Sequence, residues 1–281
     1  MRSFRWIGAA LLLVLFSVTP ASAGQHDYLA LGDSVAFGYR PPAVTPPGDY
    51  FDAANFVGYP ELYSPNVTNA SCPGETTDSM ITLGAQSNGC RNSVGSPVGY
   101  RTLFPLHVNY SGTQLEYAVQ FLKSHPRTRQ VTIDIGANDL FVCQETTPDR
   151  CTGDSFPAAL GRIGGNLTTI FSALREEAWY RHDLVLVSYY SLDYRDPATT
   201  AQVQALNAAL TGPTLEFGGV VADGFGAFQE ASRSAGGDPC AAGLLIALPG
   251  GGCDIHPSEQ GHTLLAGAVE EAVAKGDRKA A

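Results

Sequence analysis

Between residues 28 and 274 the chain alternates short apolar runs with longer stretches whose apolar residues recur every three or four positions. This alternation constrains the fold more than any other feature, because strand-then-helix units build a parallel sheet rather than a sandwich of antiparallel strands. Five strands are expected, at Tyr28–Leu31, Asn66–Ala70, Val131–Ile135, Leu184–Tyr189 and Val220–Val221. Helices are expected at 113–124, with Leu115, Val119 and Leu122 on one stripe, and at 156–179, with Leu160, Ile163, Leu167, Ile170 and Leu174 on another. Gly164-Gly165 is expected to interrupt and bend the second of these. Further helices are expected at 198–210 and 260–274, followed by a frayed tail over 275–281. Such a chain makes an α/β three-layer sandwich, α/β/α, whose ligand sites lie beyond the carboxyl ends of the strands.

Arg2 and Arg5 precede an apolar run over 7–18 that ends in Ala21-Ser22-Ala23, the pattern of a cleavable signal peptide over residues 1–23. The run is too short to span a bilayer, and no later segment is apolar enough to do so. A mature chain of residues 24–281, folded as one domain and secreted to the extracellular side, is the expectation. The formal net charge is −10, with 27 acidic residues against 17 basic ones, and loss of the leader removes basic residues only. Nucleic acid is therefore not an expected partner.

Six cysteines in an exported chain point to disulfides before metal. Fifteen pairings are possible, and proximity in sequence favours Cys72 with Cys90, Cys143 with Cys151, and Cys240 with Cys253. None of these pairs has zinc-site spacing with a neighbouring histidine, so no metal is expected. Two segments, 40–62 and 73–112, are rich in Gly, Pro, Ser, Asn and aromatic residues. Loops of that length are either binding or lid elements or surface decoration tied down by a disulfide.

A serine becomes a nucleophile only when a base can take its proton, so the useful serines are those at strand ends. Ser34 follows the first strand in Leu31-Gly32-Asp33-Ser34, where Gly32 permits a sharp turn and Ser34 can open a helix; an ordinary helix cap would read the same way. The second strand runs into Cys72-Pro73-Gly74, offering an unobstructed backbone N–H at Gly74. The third ends in Gly136-Ala137-Asn138-Asp139, which can turn the Asn138 amide into the same crevice. After all the strands, Asp254-Ile255-His256-Pro257 forms a loop before the last helix. His262 lies six residues beyond His256, a poor interval for shared metal ligation, and is expected to pack or cap locally. His107, His125 and His182 are isolated, with bland roles expected.

Taken in order, these four blocks resemble the SGNH, or GDSL, hydrolase family across nearly the whole mature chain. The resemblance implies a flavodoxin-like sheet and a cofactor-free esterase or lipase. In that reading Ser34 attacks the ester carbonyl, His256 is the general base, and the oxyanion is held by the backbone N–H groups of Ser34 and Gly74 and the side chain of Asn138. The family's usual acid stands three residues before the histidine, where this chain has Cys253; Asp254 stands two before. Either Asp254 orients His256 or a backbone carbonyl does so in a Ser-His dyad. Ser34 is not in a G-x-S-x-G elbow, which argues against the α/β-hydrolase fold. The expected partner is a small-molecule, lipid or glycan ester. The aromatic residues Tyr39, Tyr50, Phe51, Phe56 and Tyr59 are expected at the rim, stacking on sugar in a polysaccharide O-acetylesterase or lining an acyl groove. A non-catalytic glycan-binding protein on the same scaffold is the alternative outside enzymes. A monomer is assumed.

Overall fold

The computed structural model describes residues 27–280, so the expected signal peptide at 1–23 lies outside the described residues. Five strands, β1 (Tyr28–Gly32), β2 (Val67–Asn69), β3 (Gln130–Asp134), β4 (Asp183–Val187) and β5 (Val220–Ala222), form one sheet in the order β2-β1-β3-β4-β5, and every pairing is parallel. Helices cover both faces. Leu29 to Leu31, Val131 to Ile133 and Leu184 to Leu186 are consequently buried at every position, on both faces of the sheet. The helices Gln114–Ser124, Ser155–Ser172 and Pro197–Glu216 lie on one side, and Tyr59–Tyr63, Gly224–Ser232 and Glu259–Ala280 on the other.

This strand order is flavodoxin-like. It reverses direction between β1 and β3, and the crevice opens beyond the carboxyl ends of the strands at that switch point. In register, Gly32 sits opposite Asp134, so the chain leaves the two strands side by side.

Several expectations need correction. The helix Ser155–Ser172 runs unbroken through Gly164-Gly165. A side chain at Gly164 would lie 3.2 Å from the Ala209 carbonyl, so this glycine serves close packing against Pro197–Glu216 rather than a bend. The break comes later, in a π-helical turn at Ala173–Glu177 that is followed by Trp179 with φ 56°. The helix Pro197–Glu216 extends past residue 210, and the last helix continues to Ala280 through the segment expected to fray.

The segment expected as a loop around His256 is a strand. Leu245–Ala247 (β6) and Cys253–Pro257 (β7) pair as an antiparallel hairpin outside the main sheet. Disulfides join Cys72 to Cys90, Cys143 to Cys151 and Cys240 to Cys253. The two long segments are more than decoration: Tyr50 and Phe56 from one and Tyr100 and Leu106 from the other bury themselves with Phe37 and the Cys72–Cys90 bridge in a second apolar core. No helix among the described residues is long and apolar enough to cross a membrane.

Candidate active site

Ser34 opens a four-residue helix directly after β1. The turn that delivers it needs Gly32, whose φ is 131° and whose missing side chain would collide with the Asp134 carbonyl at 2.1 Å. Asp33 is buried between the two. Its Oδ1 accepts from the Val35 N–H at 2.9 Å, capping the short helix, and its Oδ2 accepts from the Tyr189 hydroxyl at 2.7 Å and from Asn138 Nδ2 at 3.0 Å. Burial pushes the Asp33 carboxyl up, against the pull of these donors. Burial and the neighbouring Asp33 carboxyl push Asp134 well above the usual carboxylate range.

The hairpin carries His256 to the other side of Ser34. Its Nε2 stands 2.9 Å from Ser34 Oγ, and its Nδ1 is hydrogen-bonded to Asp254 Oδ1, which also accepts from the His256 backbone N–H at 3.0 Å. Burial would raise the Asp254 carboxyl, but the hydrogen bonds and charge of His256 outweigh it and hold Asp254 below the usual carboxylate range. Tyr190 donates to the Ile255 carbonyl at 2.7 Å and Tyr39 sets its ring 5.0 Å from the imidazole, fixing β7 and the ring it carries.

Asn138 lies in the first turn of the helix Ala137–Thr146 and is almost fully buried. Gly74, with φ 81°, stands where a side chain would strike the Asn88 carbonyl at 2.4 Å. Ser34, Gly74, Asn138 and His256 line one cavity, and Asp254 reaches it through His256. Among the described residues, the N–H groups of Ser34 and Gly74 donate to no other protein group.

The sequence matches the model of the GDSL-like lipase/acylhydrolase family over residues 30–264. The chain belongs to this family. It is accordingly a carboxylic ester hydrolase. Among curated proteins nothing matches the sequence. Solved structures with a similar fold include an acetylxylan esterase from Geobacillus stearothermophilus in a catalytic mutant form (17% identity, TM-score 0.54, covering 88% of this chain and 94% of that one). A lipase from a goat rumen metagenome is 15% identical with TM-score 0.53, covering 88% and 97%. An α/β hydrolase enzyme from the metagenome of Lake Arreo, Spain, is 17% identical with TM-score 0.53, covering 89% and 95%.

In this GDSL-family chain the cavity measures about 840 Å³. Its walls are largely apolar, drawn from Tyr100, Leu103 and Phe104 of the second long segment, Leu140 and Phe141 after β3, and Leu206 of the helix Pro197–Glu216. The aromatic rim expected at Tyr39, Tyr50, Phe51, Phe56 and Tyr59 is corrected here. Only Tyr39 lines the cavity; Tyr50, Phe56 and Tyr59 are buried in the cores, and Phe51 is exposed away from it.

Residues that the sequence did not single out hold the site together. Gln114 is fully buried; its Oε1 accepts from the Gly32 N–H at 2.6 Å, and its Nε2 donates to the Gly32 carbonyl at 3.0 Å and to Glu75 at 3.1 Å. Glu75 is pushed up to about 7 by burial, despite donors from Ser79 and Gln114. Asp139 accepts from the Thr77 N–H at 2.9 Å and from its hydroxyl, tying the segment after Gly74 to the helix that bears Asn138. Among the described residues, the group with metal-like geometry is Cys72, Glu75 and Cys90, but its two sulfurs are spent in a disulfide. His262 is buried, with burial and the neighbouring His256 pushing its imidazole down to about 3, and packs inside the fold.

Proposed function

We propose that this chain is a secreted serine esterase or lipase that forms an acyl-enzyme on Ser34 and prefers esters of apolar acyl groups. The observation that carries this reading is the 2.9 Å approach of His256 Nε2 to Ser34 Oγ, with Asp254 on the far nitrogen of the same ring. As Ser34 Oγ attacks the ester carbonyl, its proton passes to His256 Nε2 and Asp254 stabilises the imidazolium. The oxyanion accepts from the N–H groups of Ser34 and Gly74 and from the Asn138 Nδ2 hydrogen that Asp33 does not engage. Donors fixed before the reaction favour charge that develops only in the transition state, and each typically contributes about 2.7 to 4 kcal/mol. Nε2 then protonates the leaving alcohol. Water, deprotonated by the same nitrogen, attacks the acyl carbon and releases the carboxylic acid and free Ser34.

The substrate side of the reading rests on the cavity. Leu103, Phe104, Leu140, Phe141 and Leu206 offer an acyl chain an apolar surface, whereas a polysaccharide acetyl group would leave most of that wall empty. Export rests on the leader pattern at 1–23, supported by three disulfides in the folded chain.

Hydrolysis of p-nitrophenyl esters from acetate to palmitate, by the purified chain beside its Ser34→Ala variant, tests the proposal. Serine-dependent turnover rising with acyl length supports it, and an acetate optimum points to acetyl groups on polysaccharide instead. Undiminished turnover by Ser34→Ala, with its circular dichroism unchanged, would sink the assignment. No turnover of any ester would favour a glycan-binding protein.

A further inference from the structure

We propose that Asn88 is a positioning residue of the oxyanion hole, holding the Asn138 amide and the Gly74 peptide in register. The proposal rests on the oxyanion reading given above. Asn138 Nδ2 points at Asp33 Oδ2, 3.0 Å away, and Asp33 already takes the Tyr189 hydroxyl on that oxygen and the Val35 N–H on the other. A carboxylate surrounded by donors fixes which end of the amide faces it, so Asn138 Oδ1 must face the opposite side. There it needs a donor, and Asn88 Nδ2 supplies one at 2.8 Å. The amide of Asn138 is thus held at both ends, leaving one Nδ2 hydrogen for the crevice.

The backbone of Asn88 acts on the second donor. Its N–H donates to the Gly74 carbonyl at 2.8 Å, setting the tilt of the turn at Gly74, and its own carbonyl fills the space that a side chain on Gly74 would need. Asn88 is anchored in turn from both flanks. Ser87 N–H donates to Asn92 Oδ1 at 2.7 Å, the Tyr100 N–H donates to the Gly89 carbonyl at 2.6 Å, and Cys90 is bridged to Cys72 two residues before Gly74. One residue therefore touches two of the three donors from a stretch of chain that carries neither of them. The Cys72–Cys90 bridge ties that segment to the end of β2.

A double-mutant cycle tests this, using kcat and KM on a p-nitrophenyl ester for Asn88→Ala, Asn138→Ala and the pair, with thermal unfolding as the check on folding. Asn88→Ala is expected to lower kcat by about ten- to a hundredfold through misplacement of a catalytic donor, with KM within about twofold. In the Asn138→Ala background the same change should have less than about a twofold effect, because the group it positions is gone. Asn88→Asp keeps the shape and packing of the loop but removes the donor and sets a carboxylate against Asn138 Oδ1; it is expected to fall below Asn88→Ala. Wild-type kcat in both Asn88 variants would overturn the proposal, as would a full Asn88→Ala loss repeated without Asn138. In those outcomes a large effect of Asn138→Ala would leave the oxyanion reading standing. Wild-type kcat in Asn138→Ala would overturn both.

Discussion

Asp254 and His256 stand two residues apart on β7 and project to the same side of it, which brings Asp254 Oδ1 onto His256 Nδ1. Successive side chains of a strand alternate between faces, so the second residue before a histidine can reach its ring where the strand is extended. The position three before His256, where the family usually keeps its acid, is Cys253, and it is bridged to Cys240. The hairpin thus sets Asp254 rather than a backbone carbonyl beside Nδ1.

Replacing Asp254 by Asn removes the acceptor that fixes the tautomer. Asp254→Asn is expected to lower kcat by about 10⁴-fold, by analogy with loss of a triad acid elsewhere. Steady-state kinetics with thermal unfolding as control checks this. A loss below tenfold would mean that Ser34 and His256 work as a dyad.

Leu140 lines the cavity wall and is only partly buried, so a larger side chain can fill the acyl space without overpacking the core. Leu140→Trp is expected to move the chain-length optimum to shorter esters, with little change on acetate. An unchanged profile would place the acyl group elsewhere in the crevice.

The Cys240–Cys253 bridge closes a short loop at the start of β7. The pair Cys240→Ala and Cys253→Ala, made together, should lower stability by about 3 kcal/mol, the loop-entropy value for a closure of this size. It should cost activity as well, because both His256 and Asp254 ride on that strand. Denaturant unfolding beside kinetics measures the two effects, and full activity in the double variant would show that hydrogen bonds alone hold the hairpin.

His262 supplies a pH dependence. Its folded imidazole is pushed down to about 3 from an ordinary 6.5. Below pH 6.5 the unfolded chain binds a proton that the folded protein refuses, so this residue costs stability as pH falls from 6.5 toward 3 and adds no further cost below that. His262→Leu should therefore gain on the wild type by about 1.4 kcal/mol per pH unit across that window. Parallel thermal-unfolding curves for the two proteins from pH 7 to pH 4 would refute it.

The three inner strands were legible because β1, β3 and β4 are buried on both faces and so read as largely apolar runs, whereas the edge strands β2 and β5 are only partly buried and showed as shorter runs. The hairpin was not: Cys253-Asp254-Ile255-His256-Pro257 has little strand propensity, and its pairing with Leu245–Ala247 is organised by a disulfide and by packing. Ser34, Gly74, Asn138 and His256 could be picked out because each belongs to a short block at a strand or hairpin end. Asn88, Gln114 and Tyr189 carry no such local mark. Their roles exist only once segments 50 to 156 residues apart in sequence have met. The aromatic residues placed at the rim misled for a related reason, since a loop rich in Gly and Pro can still bury Tyr50 and Phe56 when a second core lies beneath it.

Ser34 arrives with the first strand and His256 with a hairpin 222 residues later. On the proposed mechanism, a polypeptide that has emerged as far as β5 holds Ser34 without the His256 imidazole that would deprotonate it. Competence to cut esters is thus deferred to the closing steps of maturation, when the hairpin docks and Cys240 is oxidised onto Cys253. Ester turnover consequently doubles as a readout of whether the whole chain has finished folding.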